Sequence, residues 1–359
     1  MPTRSTAPIY GLTAEAFATA TAGLPGGRER ALALYRQAWH EVALPADLEP
    51  RWRAALDAGV PEPLRVVEES TAAGITAKCA LRLRDGHLIE MVRIPVQGGA
   101  SSTLCISSQV GCRLACAFCE TGRLGLLRQL QPAEIAGQVV AALRLGWQPR
   151  NVVFMGMGEP LDNVENLIAA LHVLTDTRGL DLARERFTVC TAGLPDGIAR
   201  LATLGWKRLG LSLSLNAADD ATRARLMPSS RGTSLAALQA ALVAYPKRRN
   251  FALGVNWCLL PGINDTRQDV DRLAAFCAPL GRVMVNVIPY NPGSQPLSRA
   301  PSEAEVERFC GWLQEKDLPV RTRTPRGRGI MAACGQLGVA PAAAAAPSPA
   351  PRAGAAGPD

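Results

Sequence analysis

The sequence predicts an α/β fold: a six-strand, partly open βα barrel preceded by a small helical and β region. Three observations predict it. At 359 residues and 48% apolar content, the chain can bury a sizeable core. From about residue 100, six strand-like runs alternate with helical patterns, which is the signature of parallel βα units. Directly after those runs stand the unusual segments "MGMGEP", "CTAG", "SLNA", "PGIND" and "PYNP", at the strand ends where a βα barrel gathers its function. Six strands fit a partial barrel better than an eightfold one.

The elements follow in order. Residues 1–62 form a helical accessory region, because "LTAEAFATATAGL" and "GRERALALYRQAWHEV" place apolar residues at helical spacing between Pro and Gly. Residues 63–99 read as a short β-meander leading into the core. Its strands are "RVVEES", "TAKCALRLRD" and "HLIEMVRIP", the last two joined by a hairpin turn at Asp85 and Gly86. The barrel spans 100–337, with strands "STLCIS", "NVVFMG", "RFTVCTAG", "RLGLSLSLNA", "FALGVNWCLL" and "RVMVNVIPY". Between them lie the helical patterns "QPAEIAGQVVAALRLG", "DNVENLIAALHVLTD", "SLAALQAALVAYP" and "TRQDVDRLAAFCAPLG". Residues 338–359 are an Ala/Pro-rich tail, expected to be disordered.

No run of eighteen apolar residues exists, and the first residues lack a signal peptide's apolar core, so a cytoplasmic protein with no membrane partner is expected. Lys and Arg number 39 against 31 Asp and Glu, a balance that favours a polyanion such as nucleic acid. Ten cysteines in a reducing compartment are more often ligands or catalysts than staples. Cys258, Cys277 and Cys310 lie in apolar runs and are expected in the core.

The chemistry centres on "GCRLACAFCETG", where Cys112, Cys116 and Cys119 are spaced C-x3-C-x2-C after the first barrel strand. A [4Fe–4S] cluster is usually held by four thiolates. Three would leave one iron open to a ligand, by the logic of an open catalytic metal site. A zinc knuckle with Cys105 as fourth ligand is the alternative. In "FMGMGEP", Gly156 and Gly158 permit close backbone approach to a ligand, and Glu159 offers an acceptor for an ammonium group.

The cysteine spacing, with Phe118 before its last cysteine, resembles the radical-SAM superfamily. "TLCISSQVGCRLACAFCETGRLG", "FMGMGEPLDN" and "AACGQL" together resemble its RlmN/Cfr family of RNA (adenine) methyltransferases, over about three quarters of the chain. The resemblance implies a radical-SAM partial (β/α)6 barrel with one [4Fe–4S] cluster on Cys112, Cys116 and Cys119. It implies two molecules of S-adenosylmethionine (SAM) per turnover, one chelating the open iron. Cys334 matches the cysteine that carries a methyl group, and Cys105 the cysteine that releases the product by a disulfide with Cys334. That disulfide needs Cα atoms within roughly 7 Å. Glu90 matches the base that removes the ring proton, although as a lone strand glutamate it reads as a solvated residue. Gly158, Glu159, Cys190, Ser214, Leu215, Asn216 and Asn291 match SAM contacts, with Cys190 where serine is common and Asn216 where histidine is usual. Arg328, Gly329 and Met331 stand where the family usually has acidic residues.

The implied reaction is methylation of an adenine carbon, C2 favoured over C8. The implied substrate is large-subunit (23S) ribosomal RNA, or a tRNA, with an electron donor such as flavodoxin and a monomeric enzyme. A flipped base needs a basic cleft. Its candidates are Arg123, Arg128, Lys247, Arg248, Arg249, Arg321, Arg323, Arg326 and Arg328. A radical-SAM enzyme on a peptide or small molecule, and a non-catalytic Fe–S or zinc RNA-binding protein, are the rival readings.

Overall fold

The computed structural model describes residues 6–71, 74–96 and 101–338. Apart from Gly338, the expected tail lies outside them. One ten-stranded sheet organises the chain. Its strands are β1 (Glu62–Thr71), β2 (Gly74–Arg82), β3 (Leu88–Pro95), β4 (Ser102–Cys105), β5 (Pro149–Phe154), β6 (Phe187–Thr191), β7 (Gly210–Ser214), β8 (Leu253–Leu259), β9 (Val283–Pro289) and β10 (Val320–Thr322). Spatial order equals sequence order from β1 to β10. Pairing is antiparallel through β1–β4 and parallel from β4 to β10. β1 and β10 remain edges, so the barrel is open. All six expected barrel strands form. The short seventh, β10, was not foreseen, because "VRT" holds a single strongly apolar residue.

Right-handed connections require a helix between parallel neighbours, and the sequence marks their starts. Helix Pro132–Arg144 begins with Pro at its first position and a Gln131/Glu134 capping box. Helices Arg267–Cys277 and Glu303–Gln314 carry Thr266/Asp269 and Ser302/Glu305 boxes. Parallel strands between helical layers are buried on both faces. In β8, Leu253, Val255, Trp257 and Leu259 are all within 1% of full burial.

The N-terminal helices Ala14–Ala20 and Gly27–Glu41 close on an aromatic cluster. Tyr10 meets Trp39 edge-on at 4.8 Å between centroids, and Phe17 lies 5.8 Å from Tyr35. No helix among the described residues is long and apolar enough to cross a membrane.

Parallel strands all end on one side, and the loops after β4 to β9 meet there. One expectation fails on this ground. "YPKRRN" enters β8, so Lys247, Arg248 and Arg249 sit at the opposite end of the strands. The Lys247 ammonium is spent on the carbonyls of Leu242 and Leu280.

Candidate active site

The loop that follows β4 carries the three clustered cysteines, and all three line one cavity. Its walls come from strand ends: Gly156, Gly158 and Glu159 after β5, Cys190 on β6, Ser214 and Asn216 at the end of β7, Asn256 and Cys258 on β8. The loop is held in a costly conformation. Ala115, between two of the cysteines, has φ +52°, and Asn216 has φ +59°. Met331, beside Cys334, has φ +53°. Three of the six non-glycine residues in left-handed backbone among the described residues therefore border this site. Such strain persists only where surrounding structure enforces it.

Burial pushes the thiol of Cys112 up to about 12 and raises those of Cys116 and Cys119, so metal ligation must expel protons. Among the described residues, no three His, Cys, Asp or Glu side chains converge to hold a metal ion. The three sulfurs share a cavity wall instead, and a multi-iron cluster distributes its ligands over separate irons. Beside them Asn256 Nδ2 is buried without a hydrogen-bond partner. Three thiols, a buried carboxylate and an orphaned donor lining one cavity fit a thiolate-held cluster with a polar ligand near it.

Glu159 is 3% exposed. Its carboxylate accepts the backbone N–H groups of Leu161 (3.1 Å) and Ala192 (2.8 Å). Burial outweighs these bonds and lifts its pKa from 4.5 to about 7. The native state therefore binds the extra proton between those values. The resulting stability is fully present below pH 4.5 and is lost as pH rises through about 7. In ligand-free protein, melts of the parent and Glu159→Gln across this window should diverge by about 3 kcal/mol, with the parent losing more. Parallel pH curves would show that Glu159 does not titrate there. An ammonium ligand would favour the charged carboxylate and expel the same proton.

Both glycines line the cavity, and they also allow a close approach within the protein. A Cβ on Gly156 would stand 2.5 Å from the Ile106 carbonyl oxygen, and one on Gly158 (φ +98°) 2.5 Å from Gln109 Cβ. The close approach is to the protein's own β4 loop, and it fixes the height of Glu159.

A second, smaller cavity adjoins the first. Cys105 and Cys334 both line it, and Cys119, Thr121, Met155, Gly156, Cys334 and Gly335 are shared walls. Cys334 thus stands on the border, and it is the only exposed cysteine. All ten cysteines are free thiols, so the implied Cys105–Cys334 disulfide is not formed. Burial, with the nearby Cys334 and Cys190 sulfurs, pushes the Cys105 thiol well up.

The loop carrying Cys334 is strapped to the cluster loop. Glu120 N–H donates to the Gly335 carbonyl (2.8 Å), and the Thr121 hydroxyl to Leu337 O (2.6 Å). Asn291, expected as a SAM contact, lines neither cavity; its amide donates to Cys334 O (3.2 Å) and accepts from Arg328 (3.1 Å). Leu215 is fully buried and lines neither cavity.

Glu90 corrects the solvated reading, being 3% exposed on β3. Its Oε1 lies 2.9 Å from Lys78 Nζ, and its Oε2 accepts the Gly338 N–H at 2.7 Å. Lys78 also donates to the Met331 carbonyl (3.1 Å), so this buried pair grips both ends of the Cys334 loop. Glu90 is not on the wall of either cavity.

Cys258 was expected in the core. It is half-buried at the end of β8 and lines the large cavity. Of the arginines expected to meet RNA, Arg128 is already paired with Asp85 and both oxygens of Glu134. Arg123 and Arg326 donate to the carbonyls of Gln295 and Pro95. Arg321 and Arg323 are exposed and have no ion pair among the described residues. Arg223, Asn256 and Lys78 escaped the sequence reading. A polar residue inside "GVNWCLL" was the signal available for Asn256.

Comparison with known proteins fits this geometry. The radical-SAM superfamily model matches residues 106–277. A "Probable RNA methyltransferase" of Sorangium cellulosum is 45% identical over 84% of this chain and 76% of its own length. The "Dual-specificity RNA methyltransferase RlmN" of Syntrophobacter fumaroxidans is 40% identical over 84% of this chain and 87% of its own. A crystal structure of a radical SAM methyltransferase from Sphaerobacter thermophilus superposes with a TM-score of 0.84 at 33% identity, covering 91% of this chain and 98% of that one.

Proposed function

The chain belongs to the RlmN/Cfr family of radical-SAM RNA methyltransferases, and on that premise we propose that it methylates an adenine ring carbon through a methyl group carried on Cys334. C2 is the favoured carbon and C8 the alternative. Large-subunit ribosomal RNA is the favoured substrate and tRNA the alternative. The enzyme acts as a monomer fed by a one-electron donor such as flavodoxin.

One observation carries the reading: Cys105 and Cys334, far apart in sequence, line one small cavity that opens onto the wall of the three clustered thiols. A radical-SAM enzyme without a methyl-carrying cysteine has no use for that pair. Cys112, Cys116 and Cys119 would hold the [4Fe–4S] cluster, and Glu159 would take the ammonium of SAM, with Ser214, Asn216 and Cys190 along the same wall. When bound, cluster and SAM supply a one-electron cleavage that yields a radical able to take a hydrogen atom.

The chain's own residues account for the rest. An adenine ring carbon is electron-poor and cannot attack a sulfonium, so Cys334 takes the methyl first, as a thioether. Its exposed position suits a sulfur that must meet both SAM and a flipped base. The Cys334 methyl, having lost a hydrogen atom, bonds through its carbon to the ring, and the adduct gives up the ring proton and returns the electron that cleavage consumed. Cys105, buried behind Cys334, loses its proton and attacks the Cys334 sulfur; an S–S bond forms as the S–C bond breaks, and the product carbon keeps that electron pair and takes a proton to become the methyl group. Glu90 is the family's candidate to take the ring proton; here it lines neither cavity and is held by Lys78 and Gly338. Arg321 and Arg323, without carboxylate partners, are the cations best suited to the RNA backbone.

Mass spectrometry of nucleosides from cells with and without the gene tests this. The account expects 2-methyladenosine to vanish from ribosomal RNA. Unchanged 2-methyladenosine and 8-methyladenosine in all RNA would overturn it.

A further inference from the structure

A buried guanidinium stands beside the cluster loop with no anion to meet it. Arg223, on the short helix Asp220–Leu226, is 1% exposed. One of its terminal nitrogens, Nη2, donates to the Ala192 carbonyl. Its Nε and Nη1 have no hydrogen-bond partner, and no carboxylate among the described residues lies within ion-pair distance of it. Asp220, one turn earlier, is exposed and accepts the Leu235 N–H.

Leaving a charge buried and unpaired costs several kcal/mol. Arginine cannot escape by shedding its proton. The site therefore calls for a negative charge that no carboxylate of the described residues supplies. Its place identifies that charge. The helix is tied to the cysteine loop through Ala117 N–H to Leu226 O at 2.9 Å. Ala192, which Arg223 touches, and Met227, the next residue after the helix, both line the large cavity. Cys116 and Asp220 are the charges that act on the guanidinium from this side, and burial opposes its charge.

We propose that Arg223 is the built-in counter-charge of the iron–sulfur centre, pairing with the negative charge that the Cys116 thiolate brings to the cavity. This rests on Cys112, Cys116 and Cys119 being the cluster ligands. Reduction adds one more negative charge to that centre, so a fixed cation beside it favours the reduced form. Arg223 acts through the ligand set and touches no reacting atom.

The test uses anaerobically reconstituted full-length parent, Arg223→Gln and Arg223→Lys. Iron content is measured, with melting curves as a check on folding and an electron paramagnetic resonance redox titration of the centre. Arg223→Gln should lower the equilibrium constant for one-electron uptake about tenfold, a drop of about 59 mV. Arg223→Lys should recover most of that loss. A glutamine variant that loads no iron beside a lysine variant that loads normally also supports the counter-charge. An unchanged potential in Arg223→Gln with weakened SAM binding would overturn it, assigning the guanidinium to the SAM carboxylate. Failure of both variants to load, with folding lost, would overturn it in favour of a packing role. A parent that binds no cluster would instead remove the reading on which it rests.

Discussion

Cys334→Ala is expected to abolish RNA methylation, by at least about a thousandfold, while reductive cleavage of SAM continues. The two activities separate because the thiols divide between two cavities. On the proposed assignment, cleavage needs Cys112, Cys116, Cys119 and Glu159, and Cys334 is no ligand. Methyl transfer needs a sulfur that faces both cavities, and among the cysteines outside the cluster motif Cys334 alone lines the two. Cys190 and Cys258 line only the larger, and Cys105 only the smaller. None of them can take over without rebuilding the strapped loop. Quantifying 5′-deoxyadenosine and methylated nucleoside in one reaction checks this. Methylation retained by the variant would return the enzyme to the class that has no methyl-carrying cysteine.

Cys119→Ala is expected to remove iron and both activities together. Cys119 lines both cavities and starts the short helix whose Glu120 and Thr121 hold the Cys334 loop. Losing it removes a ligand and loosens the methyl carrier at once. Cys277→Ala is the control, because Cys277 is buried on helix Arg267–Cys277 and lines neither cavity. It should keep full iron content and lose only the stability of a small buried side chain, about 1 kcal/mol. Iron retained by Cys119→Ala would remove Cys119 from the ligand set.

Much of this was legible in the sequence, for identifiable reasons. The six barrel strands and four of the helices between them announce themselves through apolar runs, helical spacing and caps such as Thr266/Asp269. Cys112, Cys116 and Cys119 were legible because a ligand motif is local. Cys258 was not, because its neighbours in "NWCLL" are apolar whether the side chain faces the core or a cavity. Arg223 was hidden for the opposite reason: "DATRARL" has the look of a solvated helix, and only tertiary packing buries it. Glu90 was misjudged as solvated, because its burial depends on Lys78 across the hairpin and on the returning Cys334 loop. The register around Asp85 and Gly86 sets Lys78 diagonal to it, opposite Val92. The misplaced "YPKRRN" arginines follow from strand direction, since a segment entering a parallel strand lies at the end away from the site.

The departures before Cys334 also gain a physical role. Arg328 reaches Asn291, which holds the Cys334 carbonyl, and the Gly329 N–H donates to Glu69 at 3.1 Å. In this chain a basic residue and a carboxylate from β1 shape the loop that the family usually builds with acidic residues.

The most direct test of the central claim is peptide mass spectrometry of the protein purified anaerobically from cells fed methyl-labelled methionine. The account predicts a labelled methyl group on the peptide containing Cys334, and none on those containing Cys105, Cys190 or Cys258. An unmodified Cys334, or a label on one of the other three, would contradict it.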